Sequence, residues 1–372
     1  MTALRRLAPQ IALPLISILL AFAVASVLII FSGIVTTGSI QLTLPIVAYA
    51  SLIEGALGGV RQISNTLVVA APLILTGLAV GVGFKAGLFN IGASGQVYMG
   101  GFVAAIVGVM VAGLPVPVAI TLAIAAGAIG GAAIGFIPGF LKAYTGAHEV
   151  VTTIMLNALV QLVLAGLVTD IFAFPEASFA RTAEIGNAQL PIVIGETIHV
   201  GVFLAFACVP IAWWLLYRAT IGFQIRTVGA NPSAARYAGM NPRRIIILTM
   251  SLCGLFAGLA GATDILKLGY YPAIYGTSIG FDGITVALLG RANPVGMMFA
   301  ALLLGGMRAG APLMQINADV PVEIIDVIQA LILIFIAADS VVRHIFRIRG
   351  GAAAAPTELS TVTRSYGEQA VR

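Results

Sequence analysis

The chain has 372 residues, of which 60% are hydrophobic and only 9% are charged. A soluble domain carries about 25% charged residues, so this composition excludes a soluble enzyme, a nucleic-acid-binding module and a disordered tail protein. The net charge of +5 is interpreted as basic residues that fix the topology of a single polytopic membrane bundle.

Ten apolar segments are predicted to cross a membrane, since about 20 apolar residues cross the hydrocarbon layer. The segment near 279–290 is too short for a simple crossing, and we expect it either to begin earlier, near Tyr271, or to be re-entrant. The ten segments cover approximately residues 11–32, 63–83, 95–113, 117–141, 150–169, 199–217, 245–263, 279–290, 294–310 and 323–342. They predict an all-α membrane domain over residues 1–349, followed by a disordered cytoplasmic tail over residues 350–372.

The basic residues predict the orientation of these segments. With a cytoplasmic N-terminus, 15 of the 19 basic residues fall inside. The four that fall outside are Arg61, Arg181, Lys267 and Arg308. Basic residues are enriched on the cytoplasmic side, so both termini are predicted to be cytoplasmic.

Motifs for covalent chemistry are missing from the sequence. There is no phosphate-binding loop, no nucleophile elbow and no paired-histidine zinc motif. Cys208 and Cys253 lie in apolar runs, so we expect small buried residues without a disulfide. The chain is therefore predicted to be no enzyme and to hold no metal or cofactor of its own.

The arginine-rich segment 226–244 carries a punctuated pattern. Asn231 and Pro232 fit a helix start, the residues up to Tyr237 favour a short helix, and Gly239 fits a C-terminal cap. Asn241 then starts the next helix. The pattern predicts a short rigid helix that seats in a groove of a partner, although spacing alone is equally compatible with an ordinary connecting turn.

A glycine-rich stretch lies where the second predicted span ends and the third begins. Five glycines disfavour a continuous helix, and polar residues fall at the same place. A broken helix that lines a polar cavity explains both observations; a simple cytoplasmic turn is the alternative. The glycines are Gly81, Gly83, Gly87, Gly92 and Gly95, and the polar residues are Lys85, Asn90, Ser94 and Gln96.

Three further features carry alternatives. Asn157, eight residues after Glu149, is predicted either to bind substrate or to hydrogen-bond a neighbouring helix. Asp282 is a candidate functional carboxylate, but its predicted place near the outer surface also fits a solvated or capping residue. Tyr270, Tyr271 and Tyr275 are predicted at the membrane interface, with substrate stacking as the alternative. Gly127, Gly131 and Gly135 repeat every four residues and predict a close helix contact.

The segment 226–244 resembles the coupling-helix region of ABC importer permeases, in the family that serves branched-chain amino acids, ribose and nucleosides. The family pattern Gly-x-Asn-Pro-x-Ala-Ala-x-x-x-Gly is matched by Gly229, Asn231, Pro232, Ala234, Ala235 and Gly239. Met250–Gly261 is similar to the following Ser-Gly-x-x-Ala-Gly-x-Ala-Gly stretch, with Cys253 where a small residue such as Ser is expected.

The resemblance extends over about residues 60–342. Phe84–Gln96 is similar to an Asn-Ile-Gly-x-x-Gly-Gln motif, in which many relatives carry Glu where Ala93 or Ser94 stands. His148–Asn157 resembles a stretch of the nucleoside-type branch, and Gly280–Gly290 resembles the family's Gly-Phe-x-Gly-Ile-x-Val-Ala-Leu-Leu-Gly segment.

The resemblance implies a multi-pass permease subunit of a bacterial cytoplasmic (inner) membrane importer that translocates nucleosides or related small solutes. The same machinery importing ribose-like sugars or branched-chain amino acids is the first alternative. An ion-coupled secondary transporter is the second, but most carboxylates map to loops or span ends, which argues against it.

The resemblance also implies partners and site residues. ATP would be bound and hydrolysed by a separate cytoplasmic ABC ATPase, beside a second permease, homologous or identical, and an extracytoplasmic substrate-binding lipoprotein; no nucleic acid is expected. The predicted substrate pathway comprises Asn90, Ser94, Gln96, Asn157 and Asp282. The predicted ATPase-coupling residues are Gly229, Asn231, Pro232, Ala234, Ala235, Arg236 and Gly239, with Ala234 and Ala235 seating in the groove and Arg236 reaching an acidic rim.

Overall fold

A computed structural model describes residues 2–37 and 39–337. These residues form thirteen α-helices, one 3-10 turn at Gly186–Ala188 and one small antiparallel sheet of β1 (Ile192–Ile194) and β2 (Ile198–His199). The helices are α1 (Thr2–Thr37), α2 (Leu44–Leu57), α3 (Val60–Lys85), α4 (Ala93–Met110), α5 (Val116–Thr145), α6 (Glu149–Asp170), α7 (Val200–Tyr217), α8 (Thr220–Ala230), α9 (Pro232–Tyr237), α10 (Pro242–Leu268), α11 (Ile279–Leu289), α12 (Pro294–Ala318) and α13 (Ile324–Ala337). The predicted all-α membrane bundle is confirmed.

Eight of the described helices are long and apolar enough to cross a membrane: α1, α3, α4, α5, α6, α7, α10 and α12. Each corresponds to one predicted span. The two remaining predictions correspond to the shorter apolar helices α11 and α13. The part of the last predicted span beyond residue 337 and the predicted tail 350–372 lie outside the described residues.

The described residues divide into two compact units, residues 2–70 with 302–337, and residues 71–301. Helix α2 in the first unit was not predicted from the sequence. Its 14 residues are too few for a complete crossing and include Glu54. The helix packs closely on α12, because a side-chain carbon built on Gly55 would approach the Cα of Gly310 to 2.9 Å.

One predicted boundary in the same unit was wrong. Helix α12 continues beyond the predicted end at residue 310 to Ala318, so Arg308, which was counted on the outer side, lies well inside the helix. Its guanidinium pairs with the Asp326 carboxylate at 3.3 Å and donates to Gln329 Oε1 at 3.5 Å. These two partners on α13 explain how a cation is accommodated on an apolar helix.

The second unit is built on α4, α5 and α10, which touch through glycines. A side-chain carbon on Gly131 would overlap the carbonyl oxygen of Gly254, and one on Gly135 would overlap that of Met250. A side-chain carbon on Gly127 would likewise approach the Cβ of Ala262 to 2.7 Å. The predicted close contact of this glycine face is confirmed.

Basic residues that were predicted to lie inside meet at one end of this unit, here called the basic end. Lys142 pairs with Glu149 at 3.0 Å, Arg243 lies over the ring of Tyr144, and Gly229 packs on the backbone of Lys85. The opposite end holds Lys267 and the loop between α6 and α7, since Leu190 N donates to Leu266 O and Ile185 N donates to Gly269 O. The sorting of these basic residues agrees with the predicted alternation of spans.

Candidate functional site

The segment between α3 and α4 is held by a reciprocal pair of buried amides. Asn90 Nδ2 donates to Gln96 Oε1 at 2.9 Å, and Gln96 Nε2 donates to Asn90 Oδ1 at 3.2 Å. Asn90 Oδ1 also accepts from the backbone N–H of Gly92. Both side chains are fully buried. In this conformation their hydrogen-bonding groups therefore fix the shape of the segment, and their predicted place on the substrate path stays a prediction.

Asn157 ties the same segment to α6. Its Nδ2 donates to Ile91 O at 2.9 Å, and its Oδ1 accepts from Gly95 N at 2.8 Å. This acceptor satisfies a free N–H in the first turn of α4, as an N-cap residue would. The predicted bond to a neighbouring helix is confirmed; a role in substrate binding stays a prediction.

The position of Asn157 fixes the depth of the segment. Asn157 lies eight residues beyond Glu149, which is about 12 Å along α6 from the basic end. The chain leaves that end at Lys85, where it meets Gly229, and has reached the level of Asn157 by Gly95. The connection is therefore more than a turn at the surface: residues 86–92, here called the interrupted segment, lead from the basic end to the level of Asn157 without helical structure. That a polar cavity lies beside this segment stays a prediction.

A second crossing is broken at a similar depth. Tyr271 N donates to Thr182 Oγ1 at the opposite end, residues 271–278 are non-helical, and α11 then runs towards the basic end. Gly283 packs on Thr76, nine residues before Lys85 and about 14 Å along α3. The expectation that this crossing begins near Tyr271 is confirmed.

The starts of α4 and α11 meet at this level. A side-chain carbon on Gly280 would overlap Ser94, so only glycine fits there. Ser94 is buried, and its Oγ has no hydrogen-bond partner within the described residues. Two helix N-termini, each with partial positive charge, therefore lie beside an unused hydroxyl, as expected of a site for an electron-rich solute group.

Asp282 lies deeper in the protein than predicted. It lies in the first turn of α11, next to Gly283 and hence at the level of Thr76 on α3. Its Oδ2 accepts from Ser278 Oγ at 3.0 Å. The predicted location near the outer surface was wrong, because the non-helical stretch before Ser278 carries the chain inward first. Its role on the pathway stays a prediction.

Aromatic rings line the interior between α4 and the non-helical stretch. Their successive centroids are 5.3–5.7 Å apart, within the range of favourable ring pairs. This aromatic column consists of Phe172, Phe102, Tyr271, Tyr275 and Tyr98. Tyr271 and Tyr275 are buried inside the protein, and Tyr270 packs on Phe179 and Arg181; the place of these three tyrosines at the membrane interface stays a prediction.

The predicted short helix at the basic end is confirmed as α9. Asn231 Oδ1 accepts from Ala234 N at 3.0 Å, and Asn241 Oδ1 accepts from Arg244 N at 3.3 Å, so both asparagines cap helices. Gly239 has a φ of +81°, the left-handed conformation expected after a helix end. These turns hold α9 in one orientation.

The side chains of α9 divide differently from the prediction. Ala235 is fully buried, whereas Ala234 and Arg236 are exposed. Tyr237 is 96% exposed. Residues 235 and 237 are separated by about 200° around a helix, which explains the contrast. Ala235 packs in the coupling cluster, defined as Ala86, Leu88, Ile225, Val228, Ala235, Ile245 and Met250.

Ala235 therefore cannot seat in a partner's groove, because its side chain already packs against its own chain. The exposed knob is Tyr237, which the sequence-based interpretation missed. The helical period could have indicated it. Residues 235 and 237 point to opposite sides of the helix, so if Ala235 faces the protein interior, Tyr237 must point to solvent. The remaining predicted coupling residues stay predictions.

The described chain is thus a multi-pass membrane protein with crossings that break beside polar groups, as in transport subunits. Residues 62–337 match the family described as branched-chain amino acid transport system, permease component, so the chain belongs to this family of ABC transporter permeases. It is a transport subunit.

Curated relatives extend over nearly the whole chain. The guanosine ABC transporter permease protein NupP of Bacillus subtilis is 35% identical over 89% of this chain and 94% of its own length. The nucleoside ABC transporter permease protein NupB of Lactococcus lactis is 33% identical over 97% and 98%. The glucose ABC transporter permease protein TsgB13 of Haloferax volcanii is 30% identical over 87% and 86%.

Two of these organisms contain a second similar permease. NupQ of Bacillus subtilis, also named for guanosine, is 29% identical over 64% of this chain and 78% of its own length. NupC of Lactococcus lactis, also named for nucleosides, is 26% identical over 65% and 79%. No solved structure matches the chain.

Proposed function

We propose that this chain is the permease subunit of a bacterial ABC importer that carries nucleosides or closely related bases across the cytoplasmic membrane. Two relatives that align over almost their entire lengths are named for guanosine and for nucleosides. The aromatic column supports this substrate class, because purine and pyrimidine rings stack on aromatic faces. The orphaned Ser94 hydroxyl beside two helix N-termini would serve a ribose hydroxyl or a base carbonyl.

Sugars are the second candidate, because TsgB13 is named for glucose. Competition in whole cells separates the two. Uptake of radiolabelled guanosine is measured with a hundredfold excess of unlabelled adenosine, glucose, ribose or leucine. We expect adenosine to compete and the two sugars and leucine to have no effect. Competition by glucose together with uptake of labelled glucose would contradict the nucleoside proposal and favour a sugar importer.

ATP hydrolysis by a separate cytoplasmic ABC ATPase would supply the energy, and ATP would bind to that partner only. The observation that supports this is the geometry of α9, which is buried through Ala235 and presents Tyr237 to the surroundings. An exposed aromatic on a capped, rigidly seated helix has the form of an interface anchor. Arg236, on the exposed side of the same helix, would meet an acidic rim of the ATPase.

A continuous packing path supports transmission from α9 to the broken crossings. Ala235 shares the coupling cluster with Ala86 and Leu88, which begin the interrupted segment. The segment continues to Asn90, whose amide pairs with Gln96, and to the start of α4. Displacement of α9 by the ATPase would therefore shift the start of α4 and change access to Ser94.

The complete importer would include a second permease and an extracytoplasmic binding lipoprotein. The paired relatives in Bacillus subtilis and Lactococcus lactis support a homologous second permease. The loop between α6 and α7, at the end opposite α9, would receive the lipoprotein. Mass spectrometry of the complex purified from the native membrane tests this partner set directly.

A further inference from the structure

The outward face of α6 carries a polar side chain in the middle of an apolar helix. Gln161 lies twelve residues after Glu149 and nine before Asp170. Its side chain is exposed and makes no hydrogen bond with the described residues. A primary amide surrounded by hydrocarbon would lose its hydrogen bonds to water without replacement, at substantial cost. This face is therefore not suited to lipid.

From the position next to Gln161 onward, residues 162–170 of the same helix border a mainly apolar groove with a volume of about 590 Å³, whose polar lining comes from Thr169 and Asp170. The small residues Ala165 and Gly166 of α6 line it, together with Phe179 and Ile274 from the opposite side. A side-chain carbon built on Gly166 would meet no other atom within 4 Å, so the glycine leaves open space on this chain. Small residues that open a groove allow the backbone of another membrane helix to approach closely.

Helix α7 of the same unit has an exposed face without polar side chains, and it serves as a comparison. Every exposed position of α7 within its described length is apolar. Only 22% of the most apolar stretch of α6 is buried, compared with 67% for α10. Helix α6 thus combines a large uncovered face with a polar group and a groove, a combination that α7 does not have.

We infer that this face of α6 is the contact surface for a homologous second permease, one helix of which lies in the groove and hydrogen-bonds Gln161. The inference rests on the second permease of the proposed function. Its occupant is favoured by the paired relatives, which place two similar permeases with the same named substrate in one organism. The acyl chains of lipid cannot hydrogen-bond the Gln161 amide, whereas a facing polar side chain can.

Photo-crosslinking in membranes that contain the complete native transporter tests the surface. Gly166→Cys is labelled with benzophenone maleimide and irradiated, and adducts are identified by mass spectrometry. Ile129→Cys on α5, where the native residue is 68% exposed, is the matched control. The native Cys208 and Cys253 are buried, so the unsubstituted chain reports background. We expect an adduct with the second permease at position 166 and none at position 129.

Three results would overturn the inference. They are an adduct with a second copy of this chain, an adduct with lipid alone, and equal yields at both positions. If the second permease co-purifies but does not react at position 166, only the assigned surface is wrong. If no second permease is present in the purified transporter, the proposed partner set itself fails.

Gln161 is tested separately through its hydrogen bond. Gln161→Leu should weaken co-purification of the second permease by roughly three- to tenfold, as expected for loss of one hydrogen bond between membrane helices. Gln161→Asn, which keeps the amide, should retain most of it. Equal recovery with Leu and with Gln would show that the amide does not contribute to the contact.

Discussion

The backbone of Gly229 lies directly on the backbone of Lys85. A side-chain carbon on Gly229 would overlap the Lys85 carbonyl oxygen and would approach the Cα of Ala86 to 2.9 Å. The end of α8 therefore touches the start of the interrupted segment without any side chain between them. This contact joins the surface proposed for the ATPase to the broken crossing.

Gly229→Val should separate these two backbones. Overpacking of this kind costs about 1–3 kcal/mol, and we expect a lower melting temperature of the purified chain together with loss of uptake. Gly113→Ala is the control, because a side-chain carbon there meets nothing within 4 Å. Normal uptake by Gly229→Val would show that the contact is not needed for transmission.

Tyr237→Ala should weaken binding of the ATPase and leave the permease intact. Truncation of a central interface aromatic costs about 2 kcal/mol or more, a loss of about thirtyfold in affinity, whereas an exposed substitution changes stability by about 0.5 kcal/mol or less. Co-purification of the ATPase and thermal melting of the permease measure the two effects.

Ala235→Trp provides the contrast, because Ala235 belongs to the coupling cluster. A bulky residue there should lower the melting temperature of the permease itself, whether or not the ATPase is bound. If Tyr237→Ala retained the ATPase at full yield, α9 would not be the docking element.

Local patterns were predictable from the sequence, and depth and direction were not. The caps Asn231 and Asn241 and the glycine face around Gly131 follow from rules that involve a few neighbouring residues. The level of Asp282 depends on a non-helical stretch that carries the chain inward, and no periodicity encodes it. The direction of Ala235 depends on residues such as Leu88 that are remote in sequence, which is why the buried residue was taken for the exposed one.

Asn90→Ala and Gln96→Ala should each destabilise the permease. Each change leaves a buried amide without its partner, which costs about 1–3 kcal/mol. Because the two amides bond each other, the double variant should cost less than the sum of the single variants. Thermal melting measures all three, with the exposed Gln189→Ala as control. Unchanged melting with lost uptake would instead support direct contact with substrate.

The last prediction concerns pH and His199, which lies just before α7 and caps it. Its Nδ1 accepts a hydrogen bond from Gly201 N at 3.2 Å, which requires an unprotonated Nδ1. Burial and, to a smaller extent, the nearby positive charge of Lys267 lower the pKa of His199 from 6.5 to about 4. The negative charge of Asp264 opposes this shift but does not cancel it. The folded protein therefore keeps this histidine neutral at pH values where the unfolded chain already binds a proton.

The sign of the effect follows from that difference. The contribution of His199 to stability is fully present above about pH 6.5 and is lost as the pH falls towards 4, because protons then favour the unfolded chain. The full loss is on the order of 3 kcal/mol and is reached only below pH 4. His199→Asn keeps a capping acceptor but cannot titrate, so its melting temperature should fall less between pH 7 and pH 4.5 than that of the native chain. An equal fall in melting temperature for the two proteins across this pH range would show that His199 is not held neutral by the fold.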